Sequence, residues 1–261
     1  MSKYNTLDVS EPASGVRLVT LSRPAQANAL STEMGHDLLA FWGNLSADET
    51  VRVVILTGEG RFFCAGADLK ERNGMSDSDW SAQHVMFEAM IRAQLACPVP
   101  VIAAINGAAM GGGAEMALAC DFAWASETAK IGLPEANLGI IPGLGGTQLV
   151  TRAVGERRAS ELLLSAAHMT AAEALEIGLI NRICAPDTLM DEVIAKATLI
   201  ASKAPLAVRA LKAVIHGGAV LPLEQAMALE LAHYNQLFRT EDRREGVAAF
   251  NEKRPADFKG R

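Results

Sequence analysis

The sequence has few of the features that mark membrane-spanning, exported or metal-binding proteins. Its 261 residues include four cysteines, which are scattered and form no CxxC pair. No apolar run reaches the roughly 20 residues that cross a bilayer without a glycine, a proline or a charge. The N-terminal segment MSKYNTLDVS lacks the apolar stretch of a secretory signal. We therefore expect a cytoplasmic protein with reduced, buried thiols, no metal site and no membrane partner.

Basic residues are also in deficit. The chain has 24 Lys and Arg against 30 Asp and Glu, a formal net charge of −6, and no polybasic tract. This balance argues against nucleic acid as a partner. The five histidines are scattered, and none has a carboxylate or a serine at a spacing that suggests a hydrolytic triad. An anionic small molecule remains compatible with the sequence, because it needs only a few local donors.

Hydrophobic residues are abundant and make up 50% of the chain. Six segments have the pattern of strands: GVRLVTLSRP, VRVVILTGEG, CPVPVIAAING, DFAWAS, AKIGLPE and INRICAP. A helix is predicted from Ser31, with Met34, Leu38, Phe41 and Leu45 on one face. A polar, partly helical stretch covers about residues 70–95, and Thr170 with Glu173 forms a capping-box pattern. From about residue 188 only helices are predicted, so we expect an α/β core over residues 1–198 and a helical region over residues 199–261.

The segment AAMGGGAEMALAC, residues 108–120, places three consecutive glycines before one carboxylate in an apolar run. Glycine weakens a helix by roughly 0.5–1 kcal/mol relative to alanine, and a buried carboxylate without a partner is costly. A helix that served only for packing would contain neither consecutive glycines nor an unpaired buried carboxylate. Glu115 falls in the first turn of this helix, where an exposed carboxylate would simply complement the helix dipole. Its neighbours leave the helix almost no polar face, so we expect Glu115 to be buried and functional.

A second strand–turn–helix pattern occurs in RFFCAGADLK, residues 61–70. Gly66 permits the backbone angles that let N–H groups of the turn face a ligand oxygen. Together with the glycine-rich turn before Glu115, two such turns can converge on one oxygen as an oxyanion hole. The simpler interpretation is a tight connection with Asp68 as a helix N-cap. No Lys-Ser or Lys-Thr pair follows the glycine-rich turn, which argues against a phosphate loop.

A third segment, IGLPEANLGIIPGLGGTQ at residues 131–148, carries Glu135 directly after Pro134. A glutamate in a loop is usually a solvated surface charge, and a catalytic role is the alternative. Glycines follow at positions 143, 145 and 146, and their spacing does not match a nucleotide-binding fingerprint.

These segments, in this order, resemble the enoyl-CoA hydratase/isomerase (crotonase) superfamily. The resemblance rests on LSRPAQANAL, RFFCAGADL, PVIAAINGAAMGGGAEMALACDF, IGLPEANLGIIPGLGGTQ, EALEIGLINRI and the terminal FNEKRPADFKGR. It covers nearly the whole chain. It implies an α/β spiral of repeated ββα units followed by a C-terminal helical trimerisation region, with no metal and no prosthetic group.

The resemblance also implies where an acyl-CoA thioester would bind. The backbone N–H groups of Ala67 and Gly112 match the family's oxyanion hole for the thioester carbonyl. The CoA moiety in relatives lies along segments that match Pro24, Ala25, Gln26 and Ala27 and also Ala65, Gly66, Ala67, Asp68 and Leu69. Phe258 and Lys259 match tail residues that contact CoA in a neighbouring subunit. The tail helices PLEQAMALELAHYNQLF and EGVAAF have apolar faces that the core need not cover, so we expect a homotrimer or a hexamer of two trimers. The 70–95 stretch varies with substrate in relatives, and there Trp80 and Met86 are expected to line the acyl pocket.

Two glutamates indicate which reaction to expect. Hydratases of this superfamily resemble one another in carrying two carboxylates, at the positions of Glu115 and Glu135 here, whereas Δ3-Δ2 isomerases generally keep only the second. The resemblance implies an enoyl-CoA hydratase, a hydro-lyase of fatty-acid or other lipid metabolism, that adds water reversibly and syn to a 2-trans-enoyl-CoA. Glu115 would deprotonate the water and Glu135 would protonate C2, and Gly143 matches a glycine beside the reacting centre.

Other interpretations remain open at this stage. One is another crotonase-type enzyme, such as an enoyl-CoA isomerase or a hydratase of a branched or cyclic enoyl-CoA. Another is a protein that binds acyl-CoA or RNA without turnover. The net charge argues against RNA, and the presence of both glutamates argues against a non-catalytic protein.

Overall fold

The computed structural model describes residues 3–45 and 48–261, whose strands form a larger and a smaller sheet. The larger sheet contains β1 (Leu7–Ala13), β2 (Val16–Leu21), β3 (Val53–Gly58), β5 (Val101–Ile105), β7 (Phe122–Ser126) and β10 (Arg182–Cys184), in that spatial order. The smaller contains β4 (Phe62–Cys64), β6 (Ala108–Met110), β8 (Lys130–Gly132) and β9 (His168–Thr170). The pairs β1–β2 and β8–β9 are antiparallel, and all other neighbours are parallel.

The central strands are covered on both faces. Every residue of β3 and β5 is buried, as the continuous β-branched pattern predicts for parallel strands between two layers. The main hydrophobic core lies between the two sheets and α1 (Thr32–Leu45). The predicted stripe of α1, formed by Met34, Leu38, Phe41 and Leu45, is buried in this core. Ser31 Oγ accepts the N–H of Met34 at 3.2 Å, so the predicted start of the helix is confirmed.

The chain forms successive ββα units. β3 and β4 lead into α2 (Leu69–Arg72) and α3 (Asp77–Leu95), β5 and β6 into α4 (Gly112–Leu118), and β7 and β8 into α5 (Gly146–Val154) and α6 (Glu156–Ser165). In each unit the first strand joins the larger sheet and the second joins the smaller sheet. This repetition confirms the expected α/β spiral, and it stacks the turns after β4 and β6 side by side.

The later helices cover the outside of the spiral. α7 (Ala171–Glu176) begins with the predicted capping box of Thr170 and Glu173. α8 (Leu189–Ala201) packs on the outer face of the larger sheet through Leu189, Val193, Ala197 and Ala201. Position 198 lies inside α8, so this helix crosses the predicted boundary between residues 1–198 and 199–261. The division of the chain at that boundary stays a prediction.

The tail consists of α9 (Pro205–Gly218), α10 (Leu223–Leu237) and α11 (Glu241–Glu252). α9 and α10 have no buried residue, although both carry many large apolar side chains. Across the part of the chain that the structure describes, none of the helices combines the length and hydrophobicity that a membrane crossing requires.

Several elements differ from the sequence prediction. The strands β1, β6 and β9 were not predicted. β6 and β9 have only three residues each, which is too few to show the alternation of apolar and polar residues typical of a strand. Residues 70–95, expected to be partly helical, are mostly α2 and α3. All four cysteines, Cys64, Cys97, Cys120 and Cys184, are free and buried, which confirms the expected thiols.

Candidate active site

A cavity of about 790 Å³ opens where the turns after β4, β6 and β8 meet one face of α3. It brings together most of the residues singled out in the sequence. Its lining comprises Leu30, Ala65, Gly66, Ala67, Leu69, Arg72, Trp80, Ser81, His84, Phe87, Gly111, Gly112, Glu115, Pro134, Glu135, Leu138, Ile140, Ile141, Pro142, Gly143 and Leu144. The wall is largely apolar with a few polar groups, as in many small-molecule sites.

The turn after β4 is braced by Asp68. Its Oδ1 accepts the N–H groups of Lys70 and Glu71 at 3.1 and 3.2 Å, which makes Asp68 the N-cap of α2 as predicted. Its Oδ2 pairs with Arg23 Nη2 at 3.0 Å. Gly66 has φ +92°, and a Cβ there would lie 2.9 Å from the carbonyl oxygen of Met110. Only glycine therefore lets the two neighbouring turns approach this closely.

This approach leaves two backbone N–H groups unused in the cavity. The amide nitrogen of Gly112 lies 3.6 Å from the position of a Cβ on Gly66, and that of Ala67 lies 4.0 Å from a Cβ on Gly112. Among the described residues, neither N–H donates to a protein acceptor. Gly112 is also the first residue of α4, where N–H groups have no partner within the helix. A ligand oxygen between them can accept both.

Glu115 is 2% exposed, and its carboxylate accepts hydrogen bonds from residues outside its own helix. Its Oε1 accepts the N–H of Leu144 at 2.7 Å and that of Gly146 at 2.8 Å. Burial raises the pKa of the Glu115 carboxyl to about 7, against the effect of these donors, and the nearby Glu135 raises it further. This carboxyl can therefore exchange a proton near neutral pH, as a general acid or base requires.

Glu135 is 8% exposed and lies in the first residue of a single 3-10 turn, Glu135–Leu138. Its Oε2 is buried and has no hydrogen-bond partner among the described residues. Burial also raises the pKa of this carboxyl. The simpler interpretation of Glu135 as a solvated surface charge is therefore wrong, because the turn folds the side chain inward to the glycine-rich start of α4.

The Pro24–Gln26 segment lies next to the turn after β4 but outside the cavity. Pro24, Ala25 and Gln26 form an exposed 3-10 turn, and the carbonyl of Ala27 accepts the N–H of Ala65 at 3.1 Å. The two segments expected to contact CoA are thus hydrogen-bonded to each other.

The structure does not bring Phe258 and Lys259 to the cavity of their own chain. The Phe258 carbonyl accepts from Arg52 Nη2 at 2.8 Å, and the Lys259 N–H donates to Asp242 Oδ1 at 2.7 Å. A role for these two residues in a neighbouring subunit stays a prediction.

Of the two residues expected to line the acyl pocket, Trp80 lines the cavity and Met86 does not. Met86 packs against Gly35 of α1 instead. Arg72 and His84 also line the cavity and were not predicted from the sequence. Trp80, His84 and Phe87 are spaced by four and three residues on α3, so they lie on one face of the helix. This spacing could have predicted that His84 lines the cavity beside Trp80. His84 reaches across to Gly143, where an added Cβ would lie 2.6 Å from its Cε1.

Outside the cavity, His216 Nε2 contacts Asp121 Oδ1 at 2.7 Å. The two residues are 95 positions apart, so sequence spacing could not predict this contact.

In the described part of the chain, no group of three His, Cys, Asp or Glu side chains is arranged to hold a metal ion.

Known proteins resemble this chain along almost its full length. The sequence pattern of the enoyl-CoA hydratase/isomerase family matches residues 11–261. The 2,3-dehydroadipyl-CoA hydratase of Escherichia coli is 40% identical over 247 residues, or 94% of this chain and 96% of that protein. The short-chain-enoyl-CoA hydratase of Clostridium acetobutylicum is 38% identical over 255 residues, or 97% of this chain and 98% of that protein.

Solved structures of enoyl-CoA hydratases share the fold of this chain. The enoyl-CoA hydratase of Bacillus anthracis has a TM-score of 0.97 and 41% identity, and the match covers 98% of this chain and 100% of that one. The two-sheet spiral is the crotonase-type fold that the sequence resemblance implied. The chain belongs to the enoyl-CoA hydratase/isomerase family.

Proposed function

We propose that the protein is an enoyl-CoA hydratase, which adds water reversibly and syn to a 2-trans-enoyl-CoA to give a 3-hydroxyacyl-CoA. The observation that carries this proposal is the pairing of two buried carboxyls, Glu115 and Glu135, in one cavity with the unused N–H groups of Ala67 and Gly112. Relatives named as enoyl-CoA hydratases support the same reaction.

In this mechanism the thioester oxygen accepts the N–H groups of Ala67 and Gly112. Glu115, oriented by its two backbone donors, takes a proton from water as the water oxygen bonds to C3. The electrons of the C2–C3 double bond move onto the thioester, where negative charge develops on the oxygen between the two amides. Such donors are worth about 10²–10³ in rate each. Glu135 then supplies the proton to C2, and Gly143 leaves room beside the reacting carbons.

The acid–base chemistry requires no metal or prosthetic group, because both proton transfers use protein carboxyls and CoA is part of the substrate. We propose that the Pro24–Ala27 and Ala65–Leu69 segments hold the CoA moiety. We propose that the reaction belongs to fatty-acid or other lipid metabolism in the cytoplasm. We further propose a homotrimer, or a hexamer of two trimers, in which Phe258 and Lys259 reach a neighbouring active site.

The test is hydration of crotonyl-CoA, followed by loss of absorbance of the conjugated thioester. We expect rapid turnover by the wild type and a loss of about 10²–10⁴ in kcat for Glu115→Gln and for Glu135→Gln, the range of one positioned proton transfer. Glu161→Gln, at an exposed position of α6, is the matched control. If Glu115→Gln instead keeps a Δ3-Δ2 isomerase activity that exceeds hydration by the wild type, the protein is an isomerase.

A further inference from the structure

Arg72 is a half-buried cation in the wall of the acyl cavity, and it has no acidic partner. It is the last residue of α2 and lines the same cavity as Glu115 and Glu135. Among the described residues, no carboxylate forms an ion pair with it. Burial lowers the pKa of its guanidinium, with the charge of Glu71 acting in the opposite direction. A half-buried arginine gains from an anionic partner, because part of the hydration of its charge is lost.

The guanidinium is held firmly despite this missing partner. Its Nε donates to Gln83 Oε1 at 2.7 Å, and Gln83 in turn donates to Thr32 Oγ1 at 2.8 Å. One face of the group stacks on the Trp80 ring, 4.2 Å from the ring centroid, and the Phe87 ring lies 5.7 Å away. Gln83 itself is buried. These contacts fix the plane of the guanidinium and use only one of its donors.

The two terminal nitrogens of Arg72 form no hydrogen bond with the described residues. They form a planar pair of N–H donors with the geometry that binds a carboxylate through two parallel hydrogen bonds. The nearest acidic residue in sequence, Glu71, is engaged with the N–H of Thr32 at 2.9 Å. The site is therefore preorganised for an anion that the chain does not provide.

The position of Arg72 indicates which part of a substrate carries that anion. The thioester carbonyl is placed at the amides of Ala67 and Gly112, and the CoA moiety leaves along the exposed Pro24–Gln26 turn, which does not line the cavity. The acyl chain must extend the other way, into the cavity beside α3. Arg72 stands on that wall with Trp80 and Phe87.

We propose that Arg72 is a specificity-determining residue that binds a carboxylate at the far end of the acyl chain, so that the preferred substrates are 2-enoyl-CoA thioesters with a terminal carboxylate. This inference rests on the proposed function for the reaction, but the binding preference is independent of turnover. The apolar contacts of Trp80 and Phe87 would pack along the chain, and the terminal carboxylate would replace the missing partner of Arg72.

The experiment compares binding of saturated thioesters that cannot be hydrated. Isothermal titration calorimetry measures the Kd of glutaryl-CoA, adipyl-CoA and pimelyl-CoA, each beside its terminal methyl ester, for the wild type, Arg72→Met and Arg72→Lys. At the favoured length we expect the wild type to bind the acid about 10- to 100-fold more tightly than the ester, the range of a charged hydrogen-bonded contact. Arg72→Met is expected to abolish this ratio, and Arg72→Lys to reduce it.

Arg92→Met is the matched control. Arg92 lies on α3, is exposed and pairs with Glu88, so this variant removes one positive charge outside the cavity. We expect it to keep the wild-type ratio of acid to ester binding. If Arg72→Met does not fold, the wild-type ratio alone decides the question.

Two results would overturn the inference. The first is equal binding of acid and ester by the wild type at all three chain lengths. The second is an Arg72→Met variant that weakens acids and esters by the same factor, since Arg72 would then contact a phosphate of CoA or only support the fold. A wild type that prefers the acids but does not hydrate crotonyl-CoA or 5-carboxy-2-pentenoyl-CoA would contradict the proposed reaction and leave this inference standing.

Discussion

The Oε1 atom of Glu115 accepts the backbone N–H of Gly146 at 2.8 Å, across 31 positions of sequence. Gly146 is the first residue of α5, so the carboxyl of α4 caps the N-terminus of another helix, where N–H groups are unpaired and anions are stabilised. A second donor, the N–H of Leu144, fixes the same oxygen at 2.7 Å. This arrangement orients the carboxyl without a cationic partner, and burial raises its pKa to about 7 although the two donors lower it.

The raised pKa of Glu115 predicts a pH-dependent cost to stability. The folded protein holds this proton up to about pH 7, whereas the ordinary pKa of a glutamate side chain is 4.5. The stabilising effect of the raised pKa is full below about 4.5 and is lost as the pH rises through 7. Glu115→Gln removes this dependence. We therefore expect the variant to gain about 3 kcal/mol in free energy of unfolding relative to the wild type between pH 4.5 and pH 8.

Urea unfolding at several pH values and one protein concentration, followed by tryptophan fluorescence, measures this difference. The exposed Glu161→Gln variant on α6 should follow the wild-type curve across the same range. A constant offset between Glu115→Gln and the wild type at all pH values would show that folding does not raise the pKa of Glu115.

Gly111 controls the position of Glu135. It has φ +50°, and a Cβ there would lie 2.9 Å from Glu135 Oε1. Gly111→Ala is expected to displace the carboxyl and to slow hydration at saturating substrate by up to about 10²-fold, the effect of an error of about 1 Å in a reacting group. Steady-state kinetics with crotonyl-CoA measure this loss.

Gly178→Ala is the matched control for backbone strain. Gly178 also has a positive φ, +79°, but a Cβ there meets no atom within 4 Å. Because both glycines have a positive φ, both variants should lose about 1–3 kcal/mol of stability from an unfavourable backbone conformation. Only Gly111→Ala should also lose hydratase activity. Equal kcat values for the two variants would remove Gly111 from the positioning of Glu135.

The two catalytic candidates could be found from the sequence for different reasons. Glu115 stands out because it is a lone carboxylate in an apolar helix. In the structure its side chain is buried and accepts hydrogen bonds from backbone N–H groups. Glu135 has no such local signal, since it lies in a polar and glycine-rich loop, and only the resemblance identified it. Its burial depends on contact with the turn before α4, which is distant in sequence.

The cavity wall formed by α3 was the least predictable part of the site. Arg72 and His84 have ordinary polar surroundings in sequence, and what makes them notable is the packing that turns α2 and α3 toward the loop at Gly143. The long buried strands β3 and β5 were predictable from composition. The three-residue strands β6 and β9 exist only because neighbouring backbone offers hydrogen-bond partners.

Asp68 joins two segments that we propose to contact CoA. It caps α2 and pairs with Arg23 at 3.0 Å, directly before the Pro24–Gln26 turn. Asp68→Ala is expected to cost about 1–2 kcal/mol in unfolding free energy from the lost cap. It should also raise KM for crotonyl-CoA more than it lowers kcat. The change removes the contact that joins the two proposed CoA-binding segments and leaves both glutamates in place.

Asp68→Asn separates these effects. The asparagine keeps an oxygen that can cap α2 but removes the charge that pairs with Arg23. We expect stability close to the wild type with an intermediate KM. If kcat instead falls by about 10²-fold or more while KM is unchanged, Asp68 takes part in the chemical step.

The apolar surface of the tail predicts an oligomer. α9, α10 and α11 expose a set of large side chains that the core does not cover: Leu211, Ile215, Leu223, Met227, Leu231, Tyr234, Val247 and Phe250, the last 85% exposed. Exposed apolar surface on this scale marks an association surface. We expect light scattering at micromolar concentration to give three or six times the chain mass of 27.6 kDa.

The assembly should also affect the active site if Phe258 and Lys259 act on a neighbouring chain. Leu231→Glu places a charge on the exposed surface of α10 and is expected to lower the mass and raise KM for crotonyl-CoA together. Gln225→Glu adds the same charge at an exposed polar position of α10 and is the control. A wild-type mass of 27.6 kDa would rule out the oligomer. A dissociated Leu231→Glu chain with an unchanged KM would show that each cavity binds CoA without its neighbour.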